Sequence, residues 1–548
     1  MPGDREHYDY VVVGAGSAGC IVASRLSGDG SARVLLLEAG PRDDHWNVRM
    51  PGGLRAHYAL DSPTNWHFST VPQKHLDARA LYQPRGKVLG GSSSINGMVY
   101  LRGHPLDYEH WSQQGLSGWS YAHVLPYFKR MERCEAGADA YRGGSGPIAV
   151  RRQERLNPLE QAFLAAGREA GFPFTDDVNG ATQEGFCRFD MNVDNGVRAS
   201  ASYAYLHKSA TGANLSVRVG VLAERLLRDG RRVVGVAYRR NGSMLEAFAD
   251  REVIVCAGAY GSPQLLMLSG IGPADHLRAH GIRVHTHLPG VGENLHDHLE
   301  IHLQHRCTRP LSLNRYMRPH RMALAGLQWM LFKTGVAARN QANVGAFLKS
   351  ASGVQQPDVQ FHFFPVYFNG WHVSAGEFGY RLGSGTMRPS SRGRVRLRSA
   401  DPCETLDIDP NYLDTEEDRL AMRAAFKLAR RTLSQPAFAP YDAGEVDPGA
   451  EVEDDGDIDA YVRRAAGSAY HPVGTCKMGP ETDALAVTDA EARVRGVEGL
   501  RVVDASIMPS IASSNLNAVV MMMAEKLCDA IAGRTPLPRL EVPFDEAR

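Results

Sequence analysis

The sequence predicts a mixed α/β fold of more than one domain, opening on a Rossmann-like unit. Three observations predict it. A buried strand, a Gly-rich turn, a helix and a second buried strand follow one another at the start of the chain. The pattern then changes in mid-chain to short, partly alternating strands. The length of 548 residues also exceeds what one hydrophobic core usually serves.

The opening unit is read residue by residue. Tyr8–Val13 is a short apolar run rich in β-branched residues, the pattern of a strand buried on both faces of a parallel sheet. Gly14-Ala-Gly-Ser-Ala-Gly19 follows at once, and Cys20–Leu26 reads as a helix. Arg33–Leu37 is the second buried strand and ends at Glu38. Further on, Leu215–Val221, Val233–Arg239 and Glu252–Ala257 read as strands, the last entering another Gly-rich turn and a helix. Asp358–Pro365, Gly393–Leu397 and Leu500–Asp504 also read as strands, and Glu416–Thr432 and Ala518–Ile531 as helices. The acidic stretch Glu445–Asp459 is interrupted by glycine and reads as a solvated loop. No internal repeat is present.

Lys plus Arg and Asp plus Glu are equal at 61 each, so no net field steers the chain to nucleic acid. The eight cysteines are scattered with no C-x-x-C, which argues against a disulfide framework or zinc knuckle and suits a reducing cytoplasm. The charged first residues lack the apolar core of a secretory signal, and no apolar run approaches the ~20 residues of a bilayer span. A cytoplasmic location is expected.

The first chemistry-bearing motif is the G-x-G-x-x-G turn. Gly14 permits the tight turn, Gly16 lets backbone approach a pyrophosphate, and Gly19 lets the helix pack on the strand. The phosphate charge then meets the helix N-terminus, and Glu38 can accept the ribose hydroxyls. A lone fingerprint of this kind is weak evidence. Here the strand before it, the helix after it and the acid beyond it are all present, and together they predict dinucleotide binding.

The cofactor's identity comes from the next segment, Gly86-Lys-Val-Leu-Gly-Gly-Ser-Ser-Ser-Ile-Asn-Gly-Met-Val-Tyr100, which can lay N–H groups and small hydroxyls along a flat polar ligand. Here the chain resembles the glucose-methanol-choline oxidoreductase family. The resemblance extends through Gly258-Ala-Tyr-Gly-Ser-Pro-Gln-Leu-Leu-Met-Leu-Ser-Gly-Ile-Gly272, Tyr470-His-Pro-Val-Gly-Thr-Cys-Lys-Met-Gly479 and Val503-Asp-Ala-Ser-Ile-Met-Pro509, and so covers nearly the whole chain.

The resemblance implies a Rossmann-like FAD-binding domain (1–155, 215–307 and 463–548) and a discontinuous second domain with an antiparallel sheet for substrate (156–214 and 308–462). On matching positions it implies that Gly14, Gly16, Ser17, Ala18, Gly19, Glu38 and Ala39 hold the ADP half, with Ala223 on the adenine and Ala257 and Gly258 beside it. Gly86, Val88, Asn96, Gly97, Met98 and Val99 would follow the isoalloxazine. Asp504 and Ala505 would touch the ribityl-pyrophosphate stretch.

It further implies oxidation of a small-molecule alcohol, with O2 or another electron acceptor. Hydride transfer from a carbinol carbon requires that the hydroxyl proton leave to a base. His471 lies in the family's catalytic His-Pro motif, and imidazole suits that work at neutral pH. The second member of the pair maps to Asn515, with Asn517 as the competing position. Asn can donate to the alkoxide oxygen without titrating. His362 falls where choline-processing members line the site, and Ala469 and Tyr470 precede the base.

Two departures matter. Members that attach FAD covalently do so through a His at the position of Ile95, so non-covalent FAD is expected. Choline-binding members carry a Glu where Asn343 is placed, and Asn lacks the charge that stabilises a buried cation. Neutral primary alcohols are therefore expected to be preferred, with choline as the alternative substrate and a same-fold lyase or decarboxylase as the alternative activity. Oxidase and dehydrogenase are not distinguished.

No metal is expected at His296, His298 and His302, because Gly290–His298 resembles a structural family stretch. Met322–Phe332 reads as a core or dimer-facing helix. Its alternative is a lip, within 315–333, that associates weakly with membrane or lipophilic substrate. Homo-oligomerisation stays open.

Overall fold

The computed structural model describes residues 6–208, 212–370 and 372–545. The first five residues of the charged start lie outside this range. Two large sheets organise the chain.

Glu6–Val13 lies inside the first sheet, parallel to Val34–Leu37 on one side and to part of the long strand Ser243–Val255 on the other. Leu215–Arg218 extends the parallel row beyond Val34–Leu37, and Leu500–Val502 pairs parallel with Val253–Val255. Continuous apolar runs such as Val11–Val13 and Val34–Leu37 are buried throughout, as strands covered on both faces must be. The other end of Ser243–Val255 turns antiparallel against Arg232–Arg240, which pairs with Val221–Asp229. One strand thus serves a parallel sheet and an antiparallel meander. The helices Ser17–Ser27 and Asn517–Ile531 are tied through Arg25, whose Nη2 lies 2.7 Å from the buried Glu525 carboxylate.

The second sheet is antiparallel, in the order Asp442–Asp447, Leu299–Cys307, Gly379–Thr386, Val359–Phe364, Val344–Leu348 and Gly185–Arg188. Leu299–Cys307 and Gly185–Arg188 are continuous in the sheet, although the expected division placed the former with the cofactor domain. Strand alternation assigns the two faces. Ile301, Leu303, Phe361 and Phe363 enter a core shared with the helices Pro158–Glu169, Glu416–Leu433 and Asp455–Ala465. Glu300, His302, Gln360 and His362 alternate with them on the opposite face, and the first sheet's C-terminal loops meet the second sheet there.

Two expectations are corrected. Glu445–Asp459 is not a loop. Strand Asp442–Asp447 covers its start and helix Asp455–Ala465 its end, because Ile458, Tyr461 and Val462 fall on one buried face while Asp455 and Asp459 pair outward with Arg423. Helix Pro319–Phe332 forms as expected but does not enter the core: among its residues only Trp329 is buried.

Candidate active site

A continuous cleft runs from Glu38 and Ala223 at one end to His471 and Asn515 at the other. Its first end is built from backbone. Gly14 has φ +95°, and a Cβ there would stand 2.5 Å from the Cys256 carbonyl oxygen. Gly16 caps helix Ser17–Ser27 with no side-chain partner and no acid in the first turn, so the helix N–H groups face the cleft. A Cβ on Gly91 would lie 2.6 Å from Gly16 Cα, so glycine at position 91 lets the two loops meet under the cleft floor. Gly19 lies below the lining and serves packing: its added Cβ would meet the Gly14 carbonyl oxygen at 1.9 Å.

Two carboxylates flank this backbone. Glu38 accepts from the N–H of Ala15 (2.9 Å) and of Gly40 (2.8 Å), and burial pushes its carboxyl up to about 7. Asp504 accepts from the Gly258 N–H at 2.9 Å, the Ser262 hydroxyl at 2.5 Å and the Ser506 N–H at 2.8 Å, which hold the carboxylate although burial raises its pKa. Ser17, Ala18, Ala39, Ala257, Gly258 and Ala505 also line the cleft, as does Gly86. Val88 is buried behind it.

Ile95, Asn96, Gly97, Met98 and Val99 line the middle. Met98 has φ +62° and Tyr470 φ +67°, so two non-glycine residues lining the cleft sit in the left-handed region. Arg198, fully buried, donates to the Asn96 carbonyl oxygen at 2.6 Å and to its Oδ1 at 3.0 Å, fixing that segment.

At the far end the hydrogen bonds assign protons. His298 Nε2 lies 3.1 Å from the Met387 carbonyl oxygen and must donate to it, which leaves His298 Nδ1 an acceptor. His471 Nδ1, 3.0 Å away, donates to that atom. His471 Nε2 therefore carries a lone pair toward the cleft. Burial above all, then His298, His362 and Arg85, hold His471 well below the ordinary imidazole value, so it is neutral. The residue is further placed by its main-chain N–H, which donates to Asp297 Oδ1 at 2.7 Å.

Asn515 is oriented from the second sheet. Gln360 Nε2 (3.1 Å) and His362 Nε2 (3.2 Å) both donate to its Oδ1, turning Nδ2 toward His471 Nε2 at 3.2 Å. Nδ2 donates to the Nε2 lone pair, so one donor and one acceptor stand side by side at the cleft, and an alcohol oxygen that parts them can bond to both. Asn517 faces elsewhere: its Oδ1 accepts from the Ser17 hydroxyl at 2.7 Å, at the fingerprint.

Of the residues singled out for substrate, Ala469 and Tyr470 line the cleft and His362 stands behind Asn515. Asn343 is not among them. Its amide donates to Glu160 Oε1 at 2.7 Å, in the packing of the second sheet on its helix. Sequence reasoning passed over His298 and Glu300 as catalytic neighbours, and Tyr58, Trp66 and Arg85 as lining. Alternation in Asp297-His-Leu-Glu-Ile-His302 was the available signal: Leu299 and Ile301 point into the core, so His298, Glu300 and His302 point away from it. His296, His298 and His302 do not converge. His296 faces Asn294, His298 faces His471, and His302 faces Glu300.

The lining fits FAD. An uncapped helix end faces a glycine floor that could take a pyrophosphate, Glu38 could accept ribose hydroxyls, and the segment from Ile95 to Val99 leads toward His471. Bound there, FAD supplies the hydride acceptor for the substrate carbon. The residues lining the cleft would hold it, and His471 and Asn515 would face the alcohol oxygen.

Profiles described as GMC oxidoreductase match residues 8–300 and 389–524. The chain is 49% identical to "Choline dehydrogenase, mitochondrial" of Mus musculus, covering 98% of this chain and 92% of that protein. It is 46% identical to "Oxygen-dependent choline dehydrogenase" of Photobacterium profundum, covering 98% and 95%. Among solved structures it is similar to pyridoxine 4-oxidase from Mesorbium loti, at 31% identity and TM-score 0.87 over 96% of this chain and 99% of that one. It is also similar to formate oxidase of Aspergillus oryzae RIB40, at 25% identity and TM-score 0.90 over 97% and 99%.

Proposed function

We propose, from the premise that this chain belongs to the GMC oxidoreductases and is an FAD-dependent enzyme oxidising a CH–OH group, that its substrate is a primary alcohol bearing a quaternary ammonium, of which choline is the simplest. The observation that carries this reading is Glu300. Its carboxylate stands 4.0 Å from His362 Nδ1, and the other nitrogen of that ring holds Asn515. Burial raises the Glu300 pKa, but the hydrogen bond from His302 at 3.2 Å and the Arg381 charge outweigh it and keep the carboxyl below the usual range. An anion one imidazole away from the catalytic amide favours a cation near the carbinol carbon. Aromatic faces add to this. Tyr58 and Tyr470, both lining the cleft, have ring centroids 6.0 Å apart. The relatives named for choline support the same reading.

The expectation of neutral alcohols rested on Asn343 standing in the site, and its bond to Glu160 removes that ground. One observation still favours a neutral substrate: Arg381, on the adjacent strand, offsets part of the Glu300 charge.

In the reaction His471 Nε2 takes the hydroxyl proton while Asn515 Nδ2 donates to the same oxygen. The lone pair on His471 exists because His298 fixes the opposite nitrogen as a donor. The decisive test is anaerobic flavin reduction by choline and by its uncharged isostere 3,3-dimethylbutan-1-ol. Choline should have the higher kcat/KM by about tenfold or more, and Glu300→Gln should erase the difference. Equal or faster reduction by the isostere would return the assignment to neutral alcohols.

A further inference from the structure

Helix Pro319–Phe332 has its apolar surface on the wrong side for a soluble core. Trp329, 2% exposed, anchors it by donating from Nε1 to the Gly196 carbonyl oxygen at 2.7 Å. On the face away from Trp329, Leu324, Leu327 and Leu331 recur at intervals of three and four residues, joined by Met330. Met322, Leu324, Leu327, Met330, Leu331 and Phe332 are each more than half exposed, from 51% at Met330 to 69% at Phe332. They make up six of the fourteen large hydrophobic side chains exposed among the described residues. A contiguous patch of this kind marks a docking surface rather than ordinary surface scatter.

The charges around it indicate what docks. The 57 residues from 301 to 357 contain eight Lys and Arg and no Asp or Glu, in a chain whose charges balance overall. Among the described residues, Arg315, Arg318, Arg321 and Lys333, which bracket the helix, make no ion pair. Arg318 is the N-cap and Arg321 lies in the first turn, with no acid beside them. Cations at a helix N-terminus oppose the helix dipole, so the helix itself gains nothing from them. Their placement is explained by an external anion.

We infer that this helix is an interfacial anchor that lies in the headgroup region of an anionic lipid bilayer, with its leucine face toward the acyl chains and its arginines on the phosphates. It cannot span: fourteen residues make about 21 Å of helix against a hydrocarbon core of about 30 Å. A second copy of this chain fits less well, because a symmetric contact over the patch would set one acid-free stretch against another. The anchor stands close to the active site. It rests on the turn at Gly196, two residues before the Arg198 that holds Asn96. The turn Val336–Ala338 that follows it packs on Pro51–Gly53, upstream of Tyr58.

The test is co-sedimentation of the intact holoenzyme with vesicles of phosphatidylcholine alone and of phosphatidylcholine with 30% phosphatidylglycerol, at low and high salt. Binding to the anionic vesicles, lost at high salt and at least about tenfold weaker on phosphatidylcholine, is expected. Leu324→Asp/Leu331→Asp and, separately, Arg318→Glu/Arg321→Glu should each weaken binding about tenfold or more, while the flavin spectrum and turnover of a soluble alcohol stay unchanged. Absence of binding to anionic vesicles would overturn the inference, as would binding that both variants retain. Light scattering on the same samples covers the other occupant: a dimer that Leu324→Asp/Leu331→Asp converts to monomer, with no vesicle binding, would assign the face to a second copy.

Discussion

The two ends of the cleft solve opposite electrostatic problems. The nucleotide end keeps two buried carboxylates, Glu38 and Asp504, each receiving backbone N–H donors. The catalytic end gathers His298, His362 and His471 and keeps them uncharged by burial. One end is a rigid cradle of main-chain dipoles for a ligand that stays. The other, in the proposed reaction, is a proton acceptor whose charge would appear only during turnover. A mutation at the first should therefore change cofactor retention, and one at the second should change rate with the cofactor still in place.

The largest break in that comparison is expected from His471→Ala. General base catalysis contributes about 10²–10⁴ in rate, and anaerobic stopped-flow flavin reduction should slow by that factor with FAD still bound. A rate within a few-fold of wild type would remove His471 from the role. Asn515→Ala should cost about 10²–10³, as loss of a donor to a developing alkoxide does. Because both groups act on one oxygen, the double variant should be less impaired than the product of the single losses; full multiplicativity would mean that they act separately.

At the other end, Gly16→Val sharpens the contrast. The nearest atom to a Cβ at Gly16 is the Cys256 carbonyl oxygen at 3.9 Å, so the fold has room while the phosphate path does not. Folded, colourless protein is expected, and a full flavin complement in purified Gly16→Val would refute the phosphate placement. Ile95 lines the cleft with a hydrocarbon, so acid precipitation of the wild type should leave all yellow colour in the supernatant. A yellow washed pellet would show covalent attachment elsewhere.

The smallest effect concerns pH. With His471 held well below the ordinary imidazole range, the base is already deprotonated at neutral pH. Flavin reduction should then be flat from about pH 6.5 upward and fall only in acid. The same depressed values make a stability statement. His57 is lowered to about 4 and His298 to about 3, both mainly by burial. Their contribution to stability is complete above the unfolded value near 6.5 and is lost as pH falls toward those folded values. Urea midpoints should therefore drop between pH 7 and pH 5, and a rate rising through pH 6.5–7.5 with an unchanged midpoint would contradict both readings.

The nucleotide end was legible in sequence because its parts are neighbours in the chain: strand, glycine turn, helix, strand and Glu38 lie within 33 residues. The first sheet's parallel strands were legible for a similar reason, since burial on both faces leaves unbroken apolar runs. The part of Ser243–Val255 before Glu252 went unread because its charged residues, Glu246 and Asp250 among them, stay in water and only the small side chains of Ala247 and Ala249 carry its buried face. Helix Asp455–Ala465 was hidden by its acids, although Ile458, Tyr461 and Val462 carry the buried face. The catalytic end was legible at His471, Asn515, His362, Ala469 and Tyr470, through the family resemblance rather than local pattern. The partner that assigns its proton, His298, is 173 residues away from His471, and no local pattern reports such a contact.

The bond from the Ser17 hydroxyl to Asn517 joins residues 500 positions apart at the phosphate end of the cleft. At about 5–20 residues per second, a ribosome makes Asn517 roughly 25–100 s after Ser17. The opening βαβ unit can fold during that interval, but its phosphate cradle stays open on one side until the final helix emerges. A polypeptide stalled short of residue 517 lacks that closing bond and is expected to hold flavin less tightly than the full chain.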